Sequence, residues 1–262
     1  MEFLLYALTG VMAGFLAGLL GVGGGLVIVP ALFAIYSGLG YENTHLMHLA
    51  LGTSLATIIF TSISSVWAHH KRGAVQWDAV IRLSPGIVIG AWIGALIAKY
   101  LPSENLQWIF GIFELYVATQ MLFAIKPAPH RSLPGNAGMF AAGSGIGAVS
   151  SIVGIGGGTL TVPFLSWCNI VMQKAVASSA ACGLPIAVAG AVGYVVVGWG
   201  AEGLPAQSLG YVHLPSMLGV AVASVLLAPL GAKLAHQLPA QTLKRVFAVV
   251  LYLIAGYMLL GM

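Results

Sequence analysis

Two stretches decide how this chain folds: Gly18-Leu19-Leu20-Gly21-Val22-Gly23-Gly24-Gly25, reaching Pro30, and Ser151-Ile152-Val153-Gly154-Ile155-Gly156-Gly157-Gly158, reaching Pro163. Their register holds upstream, Gly14 matching Gly147, an offset of 133 over some seventeen positions. Such self-similarity marks an internal duplication. It continues with small shifts. Ala50-Leu51-Gly52-Thr53-Ser54 parallels Ala175-Val176-Ala177-Ser178-Ser179, and Pro85 parallels Pro215. Gly94, Ala98, Leu101, Pro102, Leu106 and Phe110 parallel Gly231, Ala235, Leu238, Pro239, Leu243 and Phe247. The chain divides into an N-terminal repeat (1-126), a Pro-rich polar linker (127-135) and a C-terminal repeat (136-262).

Both glycine stretches interrupt hydrophobic segments, at about residues 3 to 37 and 136 to 167. As single helices these would be on the order of 50 Å long, against a hydrocarbon core of about 30 Å. Neither fits as one straight span. Six other segments, near 46 to 68, 79 to 100, 106 to 125, 175 to 198, 212 to 235 and 241 to 261, have the length of single crossings. Composition agrees: of 262 residues, 59% are apolar and 6% charged, where a soluble domain has roughly a quarter charged. With a mean hydropathy of +0.99, a water-soluble globule is excluded, and no room remains for a soluble catalytic domain.

The net charge of +4 comes from ten basic residues scattered among short loops. They form no stripe that nucleic acid could follow, and read instead as topology signals. If each glycine-broken segment crosses once, the basic residues split five against five between the two faces. If each turns back at its glycines, Lys71, Arg72, Arg82, Lys126, Arg131, Lys174, Lys233, Lys244 and Arg245 share one face and Lys99 alone takes the other. Basic loop residues favour the cytoplasmic side, so the hairpin reading is preferred. Each half is then a hairpin plus three crossings, the halves have inverted topology, and both termini are periplasmic. Inverted repeats of this kind are common in secondary transporters. The opening Met1-Glu2-Phe3 lacks the basic region of a signal peptide, so the first segment is expected to be retained. Cys168 and Cys182 lie in apolar surroundings and read as small buried residues rather than a disulfide or zinc site.

Non-helical backbone at membrane depth is tolerated where it is buried in protein or lines a cavity. Half-helices starting after Gly23-Gly24-Gly25 and Gly156-Gly157-Gly158, near Leu26 and Thr159, would aim free N–H groups and positive dipole ends at the bilayer centre. That describes an anion site; the plainer alternative is close helix packing. Hydroxyls crowd the following helix at Thr53, Ser54, Thr57, Thr61, Ser62, Ser64 and Ser65, with Ser178, Ser179 and Cys182 in the matching region. Hydroxyls bind anions without the desolvation cost of a buried base, but they also bond back to their own helix. Thr53, Ser54, Ser178 and Ser179 stand out because they are duplicated. Glu114 lies mid-helix, where an acid suggests proton coupling or structural pairing, the alternative being a neutral or lipid-facing outlier; its counterpart is Leu251. His48, one turn before Thr53, is either a pathway or proton residue or a satisfied interfacial histidine. His69, His70, His130 and His236 read as loop or interface residues. No acid or cysteine cluster accompanies His45 and His48, so no metal is expected, and no catalytic triad or paired carboxylate is visible.

These residues resemble the sulfite exporter TauE/SafE family of probable membrane transporters. The resemblance rests on the doubled glycine motif with Pro30 and Pro163, on His48-Leu49-Ala50-Leu51-Gly52-Thr53-Ser54-Leu55, and on His69-His70-Lys71-Arg72-Gly73. It covers essentially the whole chain, although the second copy has Ala177-Ser178-Ser179 in place of Gly-Thr-Ser. It implies export of sulfite, a sulfonate or a related small anion from a bacterial cell across the inner membrane. The expectation is an all-α polytopic transporter of two inverted repeats. Its anion would sit among Gly23, Gly24, Gly25, His48, Thr53, Ser54, Gly156, Gly157, Gly158, Ser178 and Ser179, with Glu114 and His48 as proton-coupling candidates. The expected partners are a small anionic substrate and the lipid bilayer; a homodimer is compatible with the sequence, and no cofactor is expected. A passive anion channel and an accessory membrane subunit are the alternatives.

Overall fold

In the computed structural model, which describes residues 2–20, 24–123, 132–235 and 240–260, both long apolar segments break at their glycines. The first becomes α1 (Glu2–Leu20) and α2 (Gly25–Gly38), the fifth α6 (Asn136–Val153) and α7 (Gly158–Trp167). The expected half-helix starts at Leu26 and Thr159 are each met within one residue. The other helices are α3 (Leu46–Lys71), α4 (Trp77–Tyr100), α5 (Ser103–Leu122), α8 (Met172–Val197), α9 (Leu214–Ala235) and α10 (Ala240–Leu260). A short antiparallel pair, β1 (Ser208–Leu209) and β2 (Val212–His213), lies between α8 and α9. Gly23 and most of the 127-135 linker, including His130 and Arg131, lie outside the described residues, as do Gly21, Val22, Lys126, His236, Leu238 and Pro239.

Among the described residues, four stretches are long and apolar enough to cross a membrane: Asn43–Lys71, Trp77–Tyr100, Asn136–Val153 and Met172–Val197. Large apolar side chains such as Ile81, Ile93, Ile112, Val188 and Leu253 are exposed on the outside of the bundle, as a lipid-facing surface requires. Cys168 and Cys182 are buried and form no disulfide.

Helix directions follow from the contacts. Gly86, Gly90 and Gly94 of α4 lie on Phe140, Ser144 and Ala148 of α6 in turn, so α4 and α6 run parallel. There is no space for a Cβ at these glycines, because backbone carbonyls of α6 occupy it. Small residues permit this backbone-to-backbone approach, on which helix association in lipid depends. α8 is also parallel to α4: Ser178 near its start bonds Gln76, and Gly193 near its end meets Ala95. Since α6 and α8 point the same way, α7 must carry the chain back between them. The first segment folds back likewise. Tyr6 near the start of α1 and Tyr36 near the end of α2 both pack on the His213 ring, with centroids 6.0 and 5.8 Å away.

The pairings correspond across the duplication. Gly143 and Gly147 of α6 rest on Leu83 and Ile87 of α4, while Gly10 and Gly14 of α1 rest on Val220 and Ser224 of α9. The shift that takes Gly94 to Gly231 also takes Leu83 and Ile87 to Val220 and Ser224. Each hairpin is thus packed against a helix from the other half of the chain. α5 and α10 form a third pair, tied by a Gln107 Nε2 bond to the Met258 carbonyl (2.6 Å) and by the Thr119 and Tyr252 hydroxyls (2.8 Å).

Candidate functional site

α6 ends at Gly154, whose φ of +69° is left-handed, a conformation that stops helices and that glycine adopts at little cost. The N–H of Ile155 then bonds the Ser150 carbonyl at 3.0 Å. Helix ends leave carbonyls unpaired, and here two side chains supply donors. The Tyr194 hydroxyl donates to the Ser151 carbonyl (3.1 Å), and the Ser54 hydroxyl donates to the Gly154 carbonyl (2.8 Å).

The start of α2 arrives at the same place. A Cβ on Gly25 would sit 2.7 Å from the Gly154 carbonyl oxygen and 2.8 Å from the Ile155 Cα. A Cβ on Gly154 would meet Leu51 of α3 and Val29 of α2. The two broken segments meet here, with the N-terminus of α2 against the turn of the other break.

The N-terminus of α7 sits on a surface made by α3 and α8. Gly157 backs onto the Ser179 carbonyl and the Gly183 nitrogen, and Gly156 faces Ile58. A Cβ built on Gly183 would lie 3.3 Å from Ser62 Oγ and 3.4 Å from the Gly157 nitrogen. This point is flanked by a hydroxyl and a helix-start amide, a setting that favours an anionic oxygen.

Four hydroxyls flank the break: Ser150 and Ser151 before it, Thr159 and Thr161 after it. All are buried without a hydrogen-bond partner. Such groups are rare in native proteins. Their first-repeat counterparts, Ala17, Gly18, Leu26 and Ile28, carry no hydroxyl. The duplicated breaks are therefore chemically unequal, the second being the polar one. Ser62, Gly183, Ser150 and Thr161 were not among the expected site residues; hydroxyls bracketing one glycine run and absent from the other were the available signal.

The remaining expected residues scatter. Gly24 lies against Ala13 and Ile28. Ser178 Oγ accepts the Gln76 N–H (2.9 Å), and the Ser179 hydroxyl donates to the Val176 carbonyl (2.9 Å). Thr53 Oγ1 accepts the His213 N–H (3.0 Å), outside the break. His48 bonds the Ala98 carbonyl through Nε2 (2.9 Å) and lies against Tyr211, centroids 4.9 Å apart. Glu114 on α5 is wholly buried, and neither carboxyl oxygen has a hydrogen-bond partner, which excludes a lipid-facing position.

The family described as sulfite exporter TauE/SafE matches residues 6–258. The chain belongs to the TauE/SafE family. A probable membrane transporter protein of Haemophilus influenzae is 42% identical over 259 residues, 98% of each chain. One from Methanocaldococcus jannaschii is 28% identical over 98% of this chain and 95% of its own. The probable membrane transporter protein YunE of Bacillus subtilis is 30% identical over 76% of this chain and 80% of its own. No solved structure matches. This TauE/SafE member is a polytopic all-α membrane protein and a membrane transporter rather than an enzyme.

Proposed function

We propose that this protein is a secondary transporter that exports a small oxyanion, sulfite or a sulfonate, across a bacterial inner membrane by alternating access. Both termini would lie in the periplasm, and the halves would be inverted repeats that rock against each other around the breaks. The observation that carries the reading is the second break, where the Gly157 amide nitrogen just before α7 and the Ser62 hydroxyl flank Gly183, and where buried unpartnered hydroxyls stand on either side of the glycines in sequence. Donors without a fixed cation suit a monovalent or divalent oxyanion that must be released as well as bound, since a buried Lys or Arg would hold it by full charge. The parallel α4–α6 and α1–α9 pairs support the inverted arrangement, because each hairpin is seated on the opposite half. Energetics favour export: with the interior negative, each charge leaving gains about 2.3 kcal/mol per 100 mV.

The test is counterflow in proteoliposomes. Sulfite or methanesulfonate inside should accelerate uptake of the labelled anion from outside, and both should raise the melting temperature of the purified protein. Flux without trans-stimulation would indicate a channel, and absence of both flux and stabilisation would sink the substrate assignment.

A further inference from the structure

A second polar cluster lies away from the break, where α1 begins and α2 ends. His213, in β2 just before α9, is buried, and three tyrosine rings surround it: Tyr6, Tyr36 and Tyr41, with centroids 6.0, 5.8 and 6.1 Å away. His213 Nδ1 is 2.8 Å from Ser216 Oγ, which is 2.6 Å from the Tyr36 hydroxyl. The Tyr36 hydroxyl reaches Thr53 Oγ1 at 3.5 Å, and Thr53 Oγ1 accepts the His213 N–H at 3.0 Å, closing a ring of bonds. The residue after Thr53 is Ser54, whose hydroxyl holds the Gly154 carbonyl of the second break.

Each hydroxyl in this ring has one proton to give. With Nδ1 unprotonated, Ser216 donates to it and Tyr36 donates to Ser216. A proton on both ring nitrogens makes Nδ1 a donor, so Ser216 must turn its proton to Tyr36 or to the His213 carbonyl, 3.2 Å away. When Ser216 turns to Tyr36, Tyr36 is in turn directed to Thr53, so one proton on the ring redirects both hydroxyls, and the far end of that chain is the residue beside the clasp on the break.

We propose that His213 is a proton-binding site of this transporter and that Ser216, Tyr36 and Thr53 relay its charge state to the α3 segment holding the second break. The inference rests on the transport reading above for its role in coupling, and on the ring of bonds for the site itself. Burial lowers the imidazole pKa below its ordinary value, and Glu2 at the start of α1 acts in the opposite sense. The other titratable groups facing it are Tyr6, Tyr36 and Tyr41; α3 and α9 present Thr53 and Ser216, neither of which titrates. The cycle balances simply: a proton joins the ring nitrogen from water at one face and leaves to water at the other, with one anion moved in exchange.

Two measurements decide it. In nanodiscs, NMR of histidine-labelled protein should show His213 taking up a proton as the pH falls, at a lower pH than an exposed histidine, with its midpoint displaced in S216A and Y36F. An imidazole that keeps one state throughout, or a midpoint indifferent to both substitutions, overturns the site. In proteoliposomes carrying methanesulfonate, which stays ionised, one pH unit should support an anion gradient about tenfold steeper in wild type if one proton is coupled per anion. H213Q should lose that dependence while keeping downhill flux. A uniform loss of flux at every pH with the gradient response intact would assign His213 a structural role and overturn the relay. Failure of wild type to move any tested anion would instead count against the substrate reading, while the titration still decides the proton site.

Discussion

Gly183→Ala separates binding from folding at the second break. The added methyl lies 3.3 Å from Ser62 Oγ and 3.4 Å from the Gly157 nitrogen, so its neighbours need yield by no more than a few tenths of an ångström. Gly183 is inside α8, where alanine is favoured over glycine by about 1 kcal/mol. Thermal stability should therefore be unchanged or slightly raised. The methyl fills the point where an anionic oxygen would meet the hydroxyl and the amide. Hydrogen bonds to a charged group contribute about 1.5–3 kcal/mol each, so losing two weakens binding by about 3 kcal/mol or more, over a hundredfold. The paired assay is a thermal melt of purified protein and the concentration dependence of sulfite efflux from proteoliposomes. A variant with wild-type KM and kcat would refute the placement of the anion, and a marked drop in melting temperature would show that the methyl does not fit.

Other substitutions distinguish parts of the same structure. Gly157→Leu should abolish transport, because even its Cβ would lie 2.5 Å from the Ser179 carbonyl and force α7 off α8; full flux would contradict this packing. Ser178→Ala removes the acceptor for the Gln76 N–H and should cost about 1 kcal/mol in stability with KM unmoved, a raised KM placing Ser178 at the substrate after all. Ser54→Ala leaves the Gly154 carbonyl without its donor; protection of the break from hydrogen exchange should fall, in line with a loss of about 1–3 kcal/mol for an unsatisfied buried group. Glu114→Gln keeps the shape of a buried, unpartnered carboxyl and should change the pH dependence of flux; an unaltered profile removes Glu114 from coupling.

The hairpins were legible because a run of glycines and a following proline punctuates an apolar stretch in a way that composition alone cannot mimic, and because it occurs twice. The meeting of the breaks was legible for the same reason. The contents of the site were less so. Thr53 and Ser54 are adjacent in sequence, but neighbouring helical residues point about 100° apart, so one reaches His213 and the other Gly154. Ser178 is likewise drawn to the α3–α4 connection rather than to the break. Matching the two halves also favours what they share, whereas the hydroxyls at Ser150, Ser151, Thr159 and Thr161 mark what they do not. His213 carries no sequence pattern of its own; its role depends on Tyr6, Tyr36 and Tyr41 arriving from distant elements.

The seating of α1 on α9 has a cost during synthesis. Gly10 and Gly14 leave the ribosome long before the backbone they press against, at Val220 and Ser224, is made. Until then the N-terminal hairpin must wait in lipid with its seat unbuilt, so its insertion precedes its docking. Two separately expressed halves should accordingly be unstable apart and recover when produced together.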